Sequence, residues 1–438
     1  MNYIKKIVVA ILTLESRLVI KKYKPFIVAV TGSVGKTSAK DAIYAILAAR
    51  GGHVRKSDKS FNSEIGMPLT VLGVANAWRD PSAWFSNICR GLDLIFFKNE
   101  YPDTLVLEAG ADHPGDIGRL VSCFKPDIAV ISKVGDVPVH VEFFPSVEAV
   151  LKEKLKLAQA VKKGGTVVLY ADDAKLKDLK FDGRTVMTYG LDKDSTVKGS
   201  QPSILCKEDG VIKKPAGISF TLENNGKSAQ IALDGVLGAQ HEYPVLAAAA
   251  VGIARGMNLE AVVKAVQGYE PPRGRMNIIA GIKGSTIIDD SYNSSPTALA
   301  LALAALGEIE GATRKIAVLG DMMELGSFSV DEHRKAGALV AQTLDADRVD
   351  LLVTVGQRAK RIGEGAIEAG MKSSRIYSFD DSNEAAAKIK DIMKAGDIIL
   401  VKGSQSPRME RITKALMAEP TRAAELLVRQ EKEWLEKK

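Results

Sequence analysis

Short runs of apolar, mostly β-branched residues alternate with stretches of helical period along nearly the whole chain. Phe26-Ile27-Val28-Ala29-Val30 has the length and composition of a parallel strand buried on both faces. From Thr37 to Ala49 the apolar positions Ala42, Ile43, Ile46 and Leu47 recur at helical spacing, and the small residues from Thr31 to Ser38 form a tight loop between the two. The polar, glycine- and proline-punctuated stretch Ser60 to Thr70 predicts a loop running into a helix. Further strands are expected at Thr104–Glu108, Asp127–Ser132 and Thr166–Leu169, with a helix over Val147–Val161. Residues 181–235 carry short alternating runs and turn residues such as Asn224-Asn225-Gly226, the pattern of an antiparallel β excursion. Gly238 to Gly256 returns to an alanine-rich helix. Glu270-Pro271-Pro272-Arg273-Gly274-Arg275 is the clearest boundary. Beyond it strands fit at Thr286–Asp289, Lys315–Leu319, Leu351–Val355 and Asp397–Val401 with helices between them, and such alternation implies a parallel sheet. The tail after Pro420 reads as a charged, solvated helix.

Composition narrows this picture. The chain has 438 residues, 46% hydrophobic and 26% charged, enough for two or three globular domains. Its net charge of +7 is mild; it suits a polyanionic small molecule or a membrane surface and does not argue for nucleic acid. Cys89, Cys123 and Cys206 are far apart and fit no metal or redox spacing, so they read as free thiols of a reducing cytosol. Ile7 to Leu14 is apolar, flanked by Lys5-Lys6 and by Lys21, Lys22 and Lys24. Glu15 and Arg17 interrupt it well short of a membrane span, and no small-residue cleavage site follows. Two readings stand: an amphipathic helix packed on the first domain, or a basic interfacial helix at a membrane.

Strand, tight loop and helix around Thr31–Ser38 are the context of phosphate binding, where backbone N–H groups and a helix N-terminus face an anion. Lys36 would reach the β- and γ-phosphates and the Thr37 hydroxyl would ligate Mg²⁺. The loop departs from G-x-x-x-x-G-K-[ST] at one position, Val30 replacing the first glycine. Glu108 ends an apolar strand downstream, as a carboxylate for Mg²⁺ or as a strand-terminal residue facing water. His140 lies beyond the C-terminal end of Asp127–Ser132, where ligands collect in open α/β sheets, although a lone histidine is often structural. The helix from Val147 offers three lysines, Lys152, Lys154 and Lys156.

Taken together, Thr31–Ser38, Asn62–Thr70, Glu108–Ile117, Gly274–Met276, Asp289–Pro296, Leu319–Gly326 and Val401–Ser406 resemble the motifs of the Mur ligase family, above all the branch that adds D-alanyl-D-alanine. They fall in family order over nearly the whole chain from residue 27. The resemblance implies an α/β protein with a P-loop central ATPase domain built on a parallel sheet (26–270), a C-terminal Rossmann-like α/β domain (271–438) and an N-terminal amphipathic helix (1–25). It implies an ATP-dependent amide ligase of cell-wall precursor synthesis, cytoplasmic and monomeric. In this chemistry a muramoyl-peptide carboxylate becomes an acyl phosphate that an amino acid or dipeptide amine then attacks. By the same resemblance Lys36, Lys154, His140 and Arg275 are the catalytic positions. Gly32, Ser33, Val34, Gly35, Lys36, Thr37, Ser38, Arg275, Asn293 and Asp321 would bind ATP. Thr37, Glu108 and His140 would bind Mg²⁺, and Asn62, Ser63, Thr70 and Lys402 the substrates. Lys154 falls where similar enzymes carry a carbamylated lysine, with Lys152 and Lys156 as alternatives two residues away.

Three departures bear on substrate. Only a helix precedes the P-loop, where related ligases carry a domain for the UDP end of the acceptor; a lipid-linked or shorter acceptor is therefore expected to serve, and the basic helix fits peripheral contact with a membrane. His241-Glu242-Tyr243-Pro244-Val245 replaces a His-Asn-x-x-Asn pattern and puts Val245 where an adenine-contacting asparagine is expected. Ser294-Ser295 replaces an Asn-Ala pair. Two alternatives are a Mur-type ligase acting on a folate-polyglutamate or poly-amino-acid chain, and an ATP-binding scaffold without catalysis.

Overall fold

The computed structural model describes residues 3–58, 61–78, 80–209, 212–343 and 351–436; Ser60, which opens the expected loop before Gly66, lies outside them. The first sheet comprises β1 (Phe26–Thr31), β2 (Val54–Lys56), β3 (Thr104–Glu108), β4 (Ile128–Ile131), β5 (Thr166–Tyr170), β6 (Thr185–Gly190), β7 (Val197–Asp209), β8 (Ile212–Asn224) and β9 (Lys227–Asp234). Its spatial order is β2-β3-β1-β4-β5-β6-β7-β8-β9. Strands β1 to β7 run parallel, and β7, β8 and β9 form an antiparallel meander. The expected antiparallel excursion over 181–235 therefore begins later than its sequence pattern suggests. β6 pairs parallel with β5, in a register that brings the Tyr170 and Tyr189 rings to 5.7 Å. Fourteen residues of mostly turn structure, 171–184, make that crossover instead of a helix.

The apolar run of β1 is buried because helices cover the sheet. Helices Lys36–Ala49 and Glu242–Ala254 pack on one another, and Val147–Gln159 packs on β1 and β4. Small side chains allow the first of these contacts. Ala247 to Ala250 are fully buried, and a Cβ at Gly252 would stand 2.9 Å from Ile46.

After the proline-rich boundary the second sheet forms from β10 (Asn277–Ala280), β11 (Thr286–Asp290), β12 (Arg314–Gly320), β13 (Leu351–Val355), β14 (Ile376–Phe379) and β15 (Asp397–Lys402). Its order is β10-β11-β15-β12-β13-β14, parallel except for β10, which makes a hairpin with β11. β10 and β14 are short edge strands of mixed burial, and neither has the continuous apolar run that marks the inner strands. The tail is not one solvated helix. It breaks into short turns at Pro420–Arg422, Ala423–Leu426 and Lys432–Leu435. Arg429 is buried and donates to the carbonyls of Ser291 (3.1 Å) and Tyr292, and Leu427 is in the core. The buried Glu410 carboxylate, 3.1 Å away, and these carbonyls satisfy the charge that the sequence suggested was solvated.

The N-terminal helix, Tyr3–Tyr23, lies against helices Gly66–Leu72 and Pro81–Phe96. Leu12 and Val19 are fully buried. The Lys22 ammonium donates to the carbonyls of Leu94 (2.9 Å), Ile95 (3.0 Å) and Phe97 (2.6 Å), which closes the C-terminus of Pro81–Phe96. Glu15 is turned inward against Gly91, where a Cβ would come within 2.1 Å of its carboxylate. Neither Glu15 oxygen has a partner among the described residues, and burial raises the carboxyl pKa to about 7. The fold therefore favours the protonated acid. That contribution is complete below about pH 4.5 and is lost as pH rises through 7. Glu15→Gln should raise the melting temperature by a few degrees at pH 8 and change it little at pH 5. An equal shift at both pH values would show that the buried charge is not the cause.

Candidate functional site

Strand register assembles the first half of the site. Val30 lies beside Glu108 and Thr31 beside Ile131, so the C-terminal ends of β1, β3 and β4 open at one place. Val30 is still within the strand and fully buried, so the bend begins only at Gly32. A Cβ on Gly32 would stand 2.0 Å from the Ser132 hydroxyl, which itself donates to the Val34 carbonyl at 2.7 Å. Ser33 and Val34 donate their N–H groups to the Lys133 carbonyl at 2.9 and 3.1 Å. Gly35, at φ 84°, caps helix Lys36–Ala49, whose first turn has no acid and no side-chain cap. The free N–H groups at that end can receive an anion. Ser38 is buried within the first turn of the helix.

Two ammonium groups meet at the loop. Lys36 Nζ donates to the Gly32 carbonyl at 2.9 Å and Lys154 Nζ donates to the same oxygen at 3.0 Å. Of the three lysines on Val147–Gln159, Lys154 is the one that reaches the P-loop; Lys152 is exposed and Lys156 pairs with Glu153 at 2.6 Å. Burial, reinforced by Lys36, lowers the Lys154 pKa to about 7. Burial also pulls Lys36 below the ordinary lysine range, opposed by Glu108, Asp112 and Glu324.

Glu108 is buried and occupied on both oxygens. Thr37 Oγ1 donates to one at 3.0 Å and Asn62 Nδ2 to the other at 3.1 Å. Thr37 and Glu108 thus present two hard oxygens at the anion site. Among the described residues no group of three or more His, Cys, Asp or Glu side chains is arranged to hold a metal ion by itself. Mg²⁺ commonly takes one or two protein oxygens and completes its shell with phosphate and water, so this donor pair fits it. His140 is engaged otherwise: Nδ1 is 2.8 Å from Glu324 and Nε2 is 3.4 Å from Asp112.

Loops following β11, β12 and β15 form the opposite wall of a cavity of about 640 Å³. Arg275 and Asn293 line it together with Tyr292, Glu324, Arg408 and Trp434. The Arg275 guanidinium lies 4.3 Å from the Tyr292 ring centroid. Its carbonyl is 2.6 Å from His241 Nε2, and burial lowers the His241 pKa to about 4, so a neutral imidazole donates that bond. His140, Met276, Glu324, Arg408 and Arg429 all have left-handed backbones, with φ between 53° and 67°. Non-glycine residues held this way gather at functional sites more than elsewhere.

Other expected site residues lie behind the cavity wall. Thr70 is buried and donates to Gly66 O at 3.0 Å within its own helix, and the exposed Ser63 accepts from Gly66 N at 3.3 Å. Asp321 accepts from the Ala359 N–H at 2.7 Å. Lys402 is enclosed, paired with Asp290 at 2.6 Å and donating to Asn293 O at 3.0 Å, so it shapes the loop that carries Asn293. Ser295 caps helix Pro296–Glu308 through the Ala298 N–H at 3.2 Å. Asp112, Tyr292 and Glu324, which also line the cavity, each lie in one of the motifs already noted. Trp434 had no sequence signal.

A smaller cavity of about 30 Å³ adjoins Val34, Gly35 and Ala39 and is lined by Tyr170, Tyr189, Gln240 and Tyr243. Both polar atoms of the Gln240 amide are buried without a partner among the described residues, whereas Val245 belongs to the core.

Residues 30–252 match the Mur ligase middle domain, and residues 274–405 match the Mur ligase, glutamate ligase domain. The UDP-N-acetylmuramoyl-tripeptide–D-alanyl-D-alanine ligase of Bacillus subtilis is 29% identical over 90% of this chain and 76% of its own length. That of Mycobacterium tuberculosis H37Rv is 32% identical over 90% of this chain and 73% of its own length. Among solved structures, MurF ligase from Thermotoga maritima in complex with ADP superposes with a TM-score of 0.73 at 25% identity, covering 93% of this chain and 83% of that one. The chain belongs to the Mur ligase family of ATP-dependent acid–amino-acid ligases.

Proposed function

We propose that the chain joins D-alanyl-D-alanine, or a similar amine, to the carboxylate of a muramoyl-peptide precursor and releases ADP and phosphate. The observation that carries this reading is the convergence of Lys36 and Lys154 on the Gly32 carbonyl, with the Thr37–Glu108 pair beside them and Arg275 across the cavity. The acceptor carboxylate attacks the γ-phosphorus, the bond to the bridging oxygen breaks, and ADP leaves. The amine then attacks the acyl carbon, phosphate departs, and the amine proton is released. Lys36, the loop N–H groups and Arg275 stabilise charge on the transferring phosphoryl group from fixed positions. Thr37 and Glu108 would hold Mg²⁺, which supplies charge neutralisation at the phosphates when bound; His140 would join them on parting from Glu324 or Asp112. Asn62 orients Glu108. Gln240, whose amide is buried without a partner among the described residues in the cavity beside Val34 and Gly35, would serve adenine in place of an asparagine at Val245.

The His140–Glu324 contact joins loops of the two sheets, so it forms or breaks as the cleft closes or opens. We place this activity in a monomer at the cytoplasmic face of the membrane, with the basic N-terminal helix toward the lipid.

Lys36→Ala should lower phosphate release from ATP by about a hundredfold or more while leaving the fold intact. Glu108→Ala should raise the Mg²⁺ concentration needed for half-maximal rate. Near-normal kinetics in both variants would remove the ATP site from this position. Lys154 is a candidate for carbamylation, in which its neutral amine adds CO₂ and becomes a carboxylate. With a pKa of about 7 the neutral fraction grows as pH rises through neutrality, the direction that favours the adduct. At fixed pH 7.5, removing dissolved CO₂ should slow the wild-type enzyme and bicarbonate should restore it. Lys154→Arg should show no bicarbonate response. A wild-type rate indifferent to CO₂ would rule out the carbamate.

A further inference from the structure

The N-terminal helix and helix Pro81–Phe96 lie side by side and run in the same direction: Glu15 meets Gly91, and one helical stretch later Lys22 meets the carbonyls of Leu94 to Phe97. Each buries one face, Leu12 and Val19 on the first helix and Asn87, Gly91 and Leu94 on the second. The outward faces should then be polar, as on ordinary surface helices, and they are not.

On the N-terminal helix Ile7, Ile11, Leu14 and Leu18 are exposed, at the i, i+4, i+7, i+11 spacing of a single stripe. The second helix repeats the stripe with Phe85, Leu92 and Phe96, which are 69, 43 and 75% exposed. Phe97 and Trp78 extend it at the two ends, Trp78 being 77% exposed. Isolated exposed apolar residues are normal, but two adjacent stripes of this size mark an interaction surface.

The flanking charge selects the occupant. Lys6, Arg17 and Lys21 are exposed on the N-terminal helix, and its one acid, Glu15, is turned into the protein. On the second helix Arg90 pairs with Asp93, and Asp80 is engaged as the N-cap by the Ser82 and Ala83 N–H groups. Lys98 follows its end, before Glu100. An apolar, aromatic stripe bordered by cations and poor in free carboxylates complements the anionic headgroup layer of a bilayer, with acyl chains beneath it. Phenylalanine and tryptophan side chains favour that boundary region. A second copy would bring two lysine-rich borders together. Among the described residues no helix is long and apolar enough to cross a membrane, so the geometry is that of helices lying on its surface.

We infer that the paired helices Tyr3–Tyr23 and Pro81–Phe96 form a docking face for an anionic lipid bilayer. The inference extends the membrane contact proposed for the N-terminal helix to a two-helix surface, and it does not depend on the ligase chemistry. It also connects to the cleft. Ser16 Oγ donates to the Pro68 carbonyl at 3.4 Å, and the segment entering that short helix carries Asn62, whose amide holds Glu108.

The test is sedimentation of the full chain, without nucleotide, with vesicles of equal parts phosphatidylglycerol and phosphatidylcholine or of phosphatidylcholine alone. Binding is expected to the anionic vesicles, about tenfold or more weaker to the zwitterionic ones, and weakened again between about 0.1 and about 0.5 M salt. Phe85→Ser with Phe96→Ser, and separately Lys6→Glu with Lys21→Glu, should each reduce partitioning by about tenfold or more while keeping wild-type circular dichroism and ATP turnover. The proposal falls if the wild-type chain ignores anionic vesicles. It falls also if both folded variants bind as well as the wild type, or if lipid-free chain forms a dimer that the phenylalanine substitutions dissolve and vesicles do not compete for. Because vesicle binding is read without turnover, its failure leaves the ligase reading untouched, and the converse holds too.

Discussion

Two ammonium groups share one backbone oxygen at the centre of this molecule, Lys36 and Lys154 on Gly32. Placed together at low dielectric they repel one another, and the cavity around them is built to offset that repulsion. Glu108, Asp112 and Glu324 face Lys36, and Lys154 answers with a lowered pKa. A polyphosphate entering the loop would supply the negative charge that this arrangement lacks. The register of β1 against β3 and β4, the glycine at position 32 and the helix that carries Lys154 all serve to bring these two cations to one place.

The other wall belongs to the second sheet, and what joins the walls is costly in backbone terms. His140 and Glu324 both have left-handed conformations and meet side chain to side chain at 2.8 Å. Left-handed backbone at a non-glycine residue costs roughly 1–3 kcal/mol, so the surrounding packing must hold each residue in place. The neutral His241, bonded to the Arg275 carbonyl, does this for the linker and leaves the Arg275 guanidinium free to stack on Tyr292.

How much of this could be read from the chain depends on distance along it. The strand–loop–helix around Lys36 was legible because its parts are contiguous and its period is strong. Inner strands such as β15 were legible because burial on both faces leaves an unbroken apolar run. β10 was not, since a four-residue edge hairpin has no such run. The parallel pairing of β6 was hidden because turns, with no helical period, make its crossover. Thr70 and Lys402 looked like cavity residues because they sit in recognisable motifs, yet the chain uses them to hold a helix turn and a loop. Trp434 is the opposite case: it reaches the cavity through a tail whose composition signals only charge, while Arg408 lies just past the Val401–Ser406 motif. Arg429 is drawn inward by the Glu410 carboxylate and by the carbonyls of Ser291 and Tyr292, partners distant from it in sequence.

The short helix Gly66–Leu72 takes on a further meaning beside this geometry. It is wedged between the N-terminal helix and the approach to Glu108, fastened to the former by Ser16 and leading back to the latter through Asn62. Its seven helical residues span roughly 10 Å. Whatever holds the N-terminal helix therefore also bears on the segment that carries Asn62 and, through it, on Glu108. The short helix is thus a spacer of fixed length, setting how far the outer helices stand from the Glu108 end of the cleft.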